Sequence, residues 1–140
     1  MKLFCILFLA LSQSFAGNPK QNLADQPSLN GTWIPIRQEL GGEELTPAAF
    51  VGQKMILQDS NYTVMAENID KGVVLYHGNQ MDIISREGAN AGKQFKAIFK
   101  IEKDSLTVCY DLSGKEYPQQ FTTKGNKLYF LSVFKREQPR

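Results

Sequence analysis

His77, Cys109 and a few acidic residues are the side chains whose types could do chemistry. His77 is the only histidine among 140 residues and stands just before Gly78. A histidine base needs a nucleophile within hydrogen-bond reach. Of the two cysteines, Cys5 falls in an N-terminal leader. That leaves Cys109, which sits inside an alternating stretch with no electropositive side chain next to it. His77 therefore reads as an exposed histidine at a strand end, and Cys109 as a thiol buried as a small hydrophobe. A zinc site would have to draw its other ligands from carboxylates, and no spacing of acids around these two residues suggests one. Glu43 and Glu44, and Asp82 with Glu87, are the acid pairs that glycoside hydrolysis would use. Their positions in turns and at strand ends describe solvated carboxylates instead. The expectation is a protein with no catalytic residue, no metal and no cofactor.

The binding of apolar molecules is the chemistry better represented, because aromatic residues recur along the chain from Trp33 to Phe134. They have to be positioned by strands. Residues 93–111, KQFKAIFKIEKDSLTVCYD, form the clearest hairpin. Phe95, Ala97, Phe99 and Ile101 alternate with Lys96, Ile98 and Lys100, and Leu106, Val108 and Tyr110 alternate with Thr107 and Cys109, the period of two of a half-buried strand. Glu102 to Ser105 supply the turn. Further strands are predicted over 32–39, 54–58, 62–67, 73–77, 81–86, 121–123 and 127–136, separated by turn residues such as Gly41-Gly42, Asp59-Ser60-Asn61, Asn68 with Asp70 and Gly72, and Gly78-Asn79. Pro35 points to an edge or a bulge, since proline lacks the amide a central ladder needs. Thr46-Pro47 before Ala48, Ala49 and Phe50 predicts an N-cap and one short helical turn.

The fold expected is all-β, an antiparallel up-and-down barrel of about eight strands with one short helical turn after the first. A barrel of that size is either filled by its own side chains or holds one small ligand. So many rings predict a mostly filled interior, with at best a shallow apolar pocket at the open end. Strand phase points Tyr62, Tyr76, Phe95 and Phe99 at that mouth.

Length fits one domain with a single core. The formal net charge of +2 gives no field for nucleic acid or an anionic membrane, and the lysines are spread singly among acids. Residues 1–16 read as a signal peptide: Lys2 leads, the apolar run from Leu3 to Leu11 is too short to span a bilayer, and Ser14-Phe15-Ala16 is a small-x-small exit. Cleavage would start the mature chain at Gly17 and leave no membrane span. Cys5 sits too early to serve for lipid attachment. Residues 17–28, GNPKQNLADQPS, are polar and aperiodic, a flexible lead-in. The domain proper covers 29–137.

Leu29-Asn30-Gly31-Thr32-Trp33 opens this domain with a G-x-W motif, residues 97–101 and 106–110 form its central hairpin, and Tyr117-Pro118, Phe121 and LSVFKRE over 131–137 close it. Together these resemble the lipocalin-like family of small exported bacterial domains, abundant in planctomycetes, whose members have no assigned activity. The resemblance spans 29–137. Ala97 and Phe99 stand where the family more often has glycine and tyrosine, and Tyr117 where it more often has arginine. The resemblance implies an up-and-down barrel with Trp33 at the closed end and Arg136 against its ring; the turn chemistry of Asn30-Gly31 and the buried reading of Cys109 give Gly31 and Cys109 structural roles beside them. It is compatible with an exported, non-enzymatic module, periplasmic or extracellular, that holds a small apolar ligand. The alternatives are a solid-cored structural or protein-interaction domain of the cell envelope, and an enzyme whose site the sequence does not display.

Overall fold

The computed structural model describes residues 28–138, so the leader at 1–16 and all but the last residue of the lead-in at 17–28 lie outside the described residues. Nine strands follow in chain order: β1 (Gly31–Leu40), β2 (Glu43–Glu44), β3 (Lys54–Gln58), β4 (Asn61–Met65), β5 (Ile69–His77), β6 (Gln80–Glu87), β7 (Gln94–Glu102), β8 (Ser105–Asp111) and β9 (Tyr129–Arg136). β1 pairs antiparallel with β2 and with β3, each strand from β3 onward pairs antiparallel with the next, and β9 returns to pair with β1. β1 and β3–β9 thus close an eight-stranded up-and-down barrel, which pairs every barrel strand on both sides over at least part of its length. β2 lies outside it, a short return hydrogen-bonded to the end of β1. Among the described residues no helix is long and apolar enough to cross a membrane.

The hairpin alternation read from the sequence sets the barrel wall. Ala97, Leu106 and Val108 are buried in the main core with Phe95, Phe99, Ile101 and Tyr110 packed beside them. The opposite phase is not left to solvent. Ile98, Cys109 and Leu131 form a second cluster outside the wall, covered by Tyr117, Phe121 and Tyr129. The long loop between β8 and β9 therefore lies flat on the outer face of β7–β9. Phe121 to Thr123, expected as a strand, belongs to this covering loop: Phe121 buries its ring on the wall, and the Thr123 hydroxyl bonds the Glu39 carboxylate and accepts from the Gly42 amide. The last strand accordingly begins at Tyr129 rather than at residue 127.

Pro35 sits at a bulge, as its missing amide requires: the β1–β9 register slips between Pro35 and Arg37. β1 pairs with β3 only over Gly31–Trp33. Beyond that the two strands part, and the gap is bridged by a 3₁₀ turn over Pro47–Ala49. Proline opens that turn as expected, but the Thr46 side chain makes no capping bond. β5 begins at Ile69, earlier than residue 73, so Asp70 and Gly72 are strand residues and not a turn. Gly72 has a steric reason to be there: a Cβ would overlap the Ile84 carbonyl oxygen and press on the Tyr62 ring.

Trp33 and Arg136 are direct cross-strand partners on the barrel's inner face at one end. The guanidinium lies 4.3 Å from the indole centroid. Its nitrogens donate to the carbonyls of Asn30 (2.6 Å) and Ser28 (2.8 Å), while the indole N–H donates to Leu29 (2.9 Å). Gly31 makes room for this: it adopts φ 135°, and a Cβ would stand 2.9 Å from an Arg136 nitrogen. These contacts close this end of the barrel.

Candidate functional site

The other end is open. An interior cavity of about 1220 Å³ runs down from the mouth, where the loops after β2, β4 and β6 gather. Met55, Leu57, Val64, Val74, Ile83 and Val108 form its apolar walls, and Phe95, Tyr110 and Phe130 its aromatic side. Tyr110 and Phe130 stack with centroids 5.6 Å apart. Burial pushes the Tyr110 phenol up. Ala48, Ala49, Val51, Ala66, Ile69 and Leu112 make much of the rim apolar, with Glu67 and Lys93 its charged members.

The interior is therefore not mostly filled, contrary to the expectation from ring count. The rings divide evenly between the two halves, with Tyr62, Phe95, Tyr110 and Phe130 lining the cavity. Trp33, Tyr76, Phe99 and Phe134 belong to the core outside the cavity lining, and Phe121 is outside the barrel altogether. In the open half the inward positions carry smaller side chains, among them Val64, Val74 and Val108, and Gly72 contributes none.

Two polar groups are built into this apolar interior. On one wall, Asp70 accepts hydrogen bonds from Ser85 Oγ (2.5 Å) and Tyr62 Oη (3.1 Å). Tyr62 pairs with Gly72 across β4–β5, and the absent side chain there lets its ring lie close to the β5 backbone. Burial pushes the Tyr62 phenol up to about 12, with the Asp70 carboxylate adding to the rise, so it remains a donor at neutral pH. On the β1 side, Gln38 is buried and donates to Gln53 Oε1 (3.2 Å) and Ser132 Oγ (3.4 Å).

Of the four side chains expected at the mouth, Tyr62 and Phe95 line the cavity. Tyr76 and Phe99 do not: they pack edge to face, centroids 5.8 Å apart, against the core. The Tyr76 hydroxyl is fully buried and makes no hydrogen bond within the described protein. Asp70, Ser85 and Gln38 were missed. Ser85 shares the inward phase of Met81 and Ile83, a polar residue in an apolar register, and that was the available signal.

The residues with catalytic potential are not brought together. His77 is exposed and pairs with Asp82 (3.4 Å), whose carboxylate also takes Lys96 (3.1 Å) and the Tyr117 hydroxyl (2.7 Å). Burial would raise Asp82, but the Tyr117 and Lys96 contacts outweigh it and hold the carboxyl below its usual range. This cluster, with Lys96 also 4.3 Å over the Tyr117 ring, fastens the covering loop to the wall. Cys109 is fully buried beneath that loop, its thiol 3.8 Å from the Thr122 carbonyl and pushed up to about 11 by burial. Glu43, Glu44 and Glu87 are exposed, and Glu44 pairs with Arg37.

Comparison with family models, with curated proteins and with solved structures finds no match to this chain.

Proposed function

We propose that this protein is an exported, non-enzymatic binding module of lipocalin-like type that holds one small apolar ligand in the open half of its barrel. The observation that carries the proposal is the cavity of about 1220 Å³, walled by aliphatic and aromatic side chains, in the half of the barrel away from the Trp33–Arg136 pair. Ligand sites of drug-sized molecules occupy roughly 300–1,000 Å³, somewhat less than this cavity, and have this make-up, mostly apolar with a few placed polar groups. Transfer of an apolar molecule from water to such walls is favoured by about 25 cal/mol for each Å² removed from solvent. The Trp33–Arg136 closure and the continuous ladder hold the walls in place before a ligand arrives, so little ordering would be needed on binding. The leader at 1–16 supports export. A solid-cored interaction domain is the weaker reading, because the open half is hollow. Catalysis has less support still, because His77 and Cys109 lie in separate clusters.

The test is titration with N-phenylnaphthylamine, an apolar fluorophore that brightens out of water. The wild-type protein should bind it, and Val64→Phe, which places a ring in the cavity, should bind it at least about tenfold more weakly while keeping its fold. Absence of binding to the wild type, or equal binding by the filled variant, would contradict the proposal.

A further inference from the structure

We infer that the ligand is an amphiphile with a protonated amine head, and that Asp70 is its docking group. This inference rests on the cavity reading above and specifies the ligand's chemical class. Asp70 lines the cavity and pairs across β4–β5 with Val64, which lines it too. Cross-strand partners share a face, so the carboxylate belongs to the inner wall. Each of its oxygens accepts one hydroxyl: Oδ1 takes Ser85 and Oδ2 takes Tyr62. Those two residues are only 2% and 5% exposed, so the carboxylate is held by a fixed and nearly dry second layer. An ionised carboxylate offers about four acceptor positions, and two hydroxyls leave one on each oxygen unused.

Among the described residues no cation pairs with Asp70. The ion pairs of the described residues engage Glu39, Glu44, Asp82, Asp104 and Glu137, and none engages Asp70. Asp82, also half-buried, has its lysine, and the more deeply buried Asp111 has its acceptor positions filled by Ser113 and the Glu116 amide, outside the cavity. The remaining charged lining residues are Glu67 and Lys93, so acids outnumber bases along the lining. An ammonium head would supply the missing charge and donate to both free positions, with its tail running down between Leu57, Val74 and Val108. A fatty acid head at the same place would set two carboxylates against each other, which disfavours the ionised ligand. The site thus selects for one head group and against another.

The experiment displaces N-phenylnaphthylamine from the full mature protein at neutral pH with three medium-chain amphiphiles of equal length, below their micelle concentrations: the alkylamine, the alcohol and the fatty acid. The amine should displace at a concentration at least about tenfold lower than the acid, with the alcohol between them, and in Asp70→Asn the amine-to-acid preference should collapse toward one. The wild-type ranking decides the matter even if Asp70→Asn folds poorly. An acid that competes as well as the amine, or an amine preference that survives in Asp70→Asn, would overturn the inference. Equal displacement by all three would remove the head-group assignment and leave the cavity reading standing, whereas a protein that binds neither fluorophore nor amphiphile would remove both.

Discussion

The guanidinium of Arg136 lies over the face of the Trp33 ring at 4.3 Å, on opposite sides of the β1–β9 seam where the barrel closes on itself. The pair joins the first barrel strand to the last and blocks one end of the interior, which is why the hollow end is the other one. A stacked guanidinium is worth about 1 kcal/mol, and its bonds to the Asn30 and Ser28 carbonyls are charge-assisted.

Arg136→Ala should therefore lower stability by about 2 kcal/mol. Trp33 is the only tryptophan, so its emission reports on this end alone. The measurement is a urea melt followed by tryptophan fluorescence, with a shifted native spectrum and an earlier midpoint expected. An unchanged spectrum and midpoint would show that the stacked pair contributes nothing.

Gly72→Ala should be among the most damaging single substitutions. The added Cβ would overlap the Ile84 carbonyl oxygen, a backbone atom that cannot turn aside, and crowd the Tyr62 ring. A loss of about 3 kcal/mol or more is expected, read as a drop in melting temperature, together with weaker N-phenylnaphthylamine binding because Tyr62 is displaced from the wall. Near wild-type stability would mean that the β5–β6 contact is looser than described.

Much of this barrel was legible before its structure was known, and the rest failed for identifiable reasons. The β7–β8 hairpin showed its inward set through strict alternation, and Pro35 announced its bulge through chemistry that no neighbour can override. Asp70 and Gly72 were misread as turn residues because their types favour turns. Their actual roles depend on Tyr62 and Ile84, which are distant in sequence or lie on another strand. Phe121 to Thr123 looks like a strand because an aromatic followed by two β-branched threonines has strand composition wherever the chain puts it. The sign of such a cover was present in Ile98 and Cys109, apolar at positions that should have faced water. The cavity is the least legible feature, because it depends on which inward positions of the open half carry small side chains, Gly72 with Val64, Val74 and Val108, and a count of rings carries no such information.

Asp111 ties the start of the covering loop, accepting from the Ser113 amide and hydroxyl and the Glu116 amide. Burial would raise its carboxyl, but these hydrogen bonds, with one from the Lys115 amide, outweigh burial and hold it below the usual range. A carboxyl lowered on folding contributes stability that is present above its unfolded value of about 3.9 and lost as pH falls through the folded value. Asp111→Asn should thus be less stable than wild type by about 2 kcal/mol at neutral pH, with the gap closing on acidification below about pH 4. Urea midpoints of both proteins across that range check this. A gap that does not change with pH would contradict it.

Cys109 should be inert in the folded protein. Its sulfur is enclosed by the loop, and burial raises the thiol to about 11, so little thiolate exists at neutral pH. Reaction with a thiol reagent should be slower than in denatured protein by about two orders of magnitude or more. Fast stoichiometric labelling of the native form would mean that the loop from Leu112 to Leu128 opens readily.

The central claim is that the open half of the barrel holds a ligand, and native mass spectrometry of the protein purified from its own host tests it most directly, with a denatured sample beside it. The account predicts a reproducible extra mass on the native protein that disappears on denaturation and belongs to an apolar molecule bearing an amine. A bare polypeptide mass from the native sample, together with no gain in melting temperature on adding the alkylamine, would contradict it.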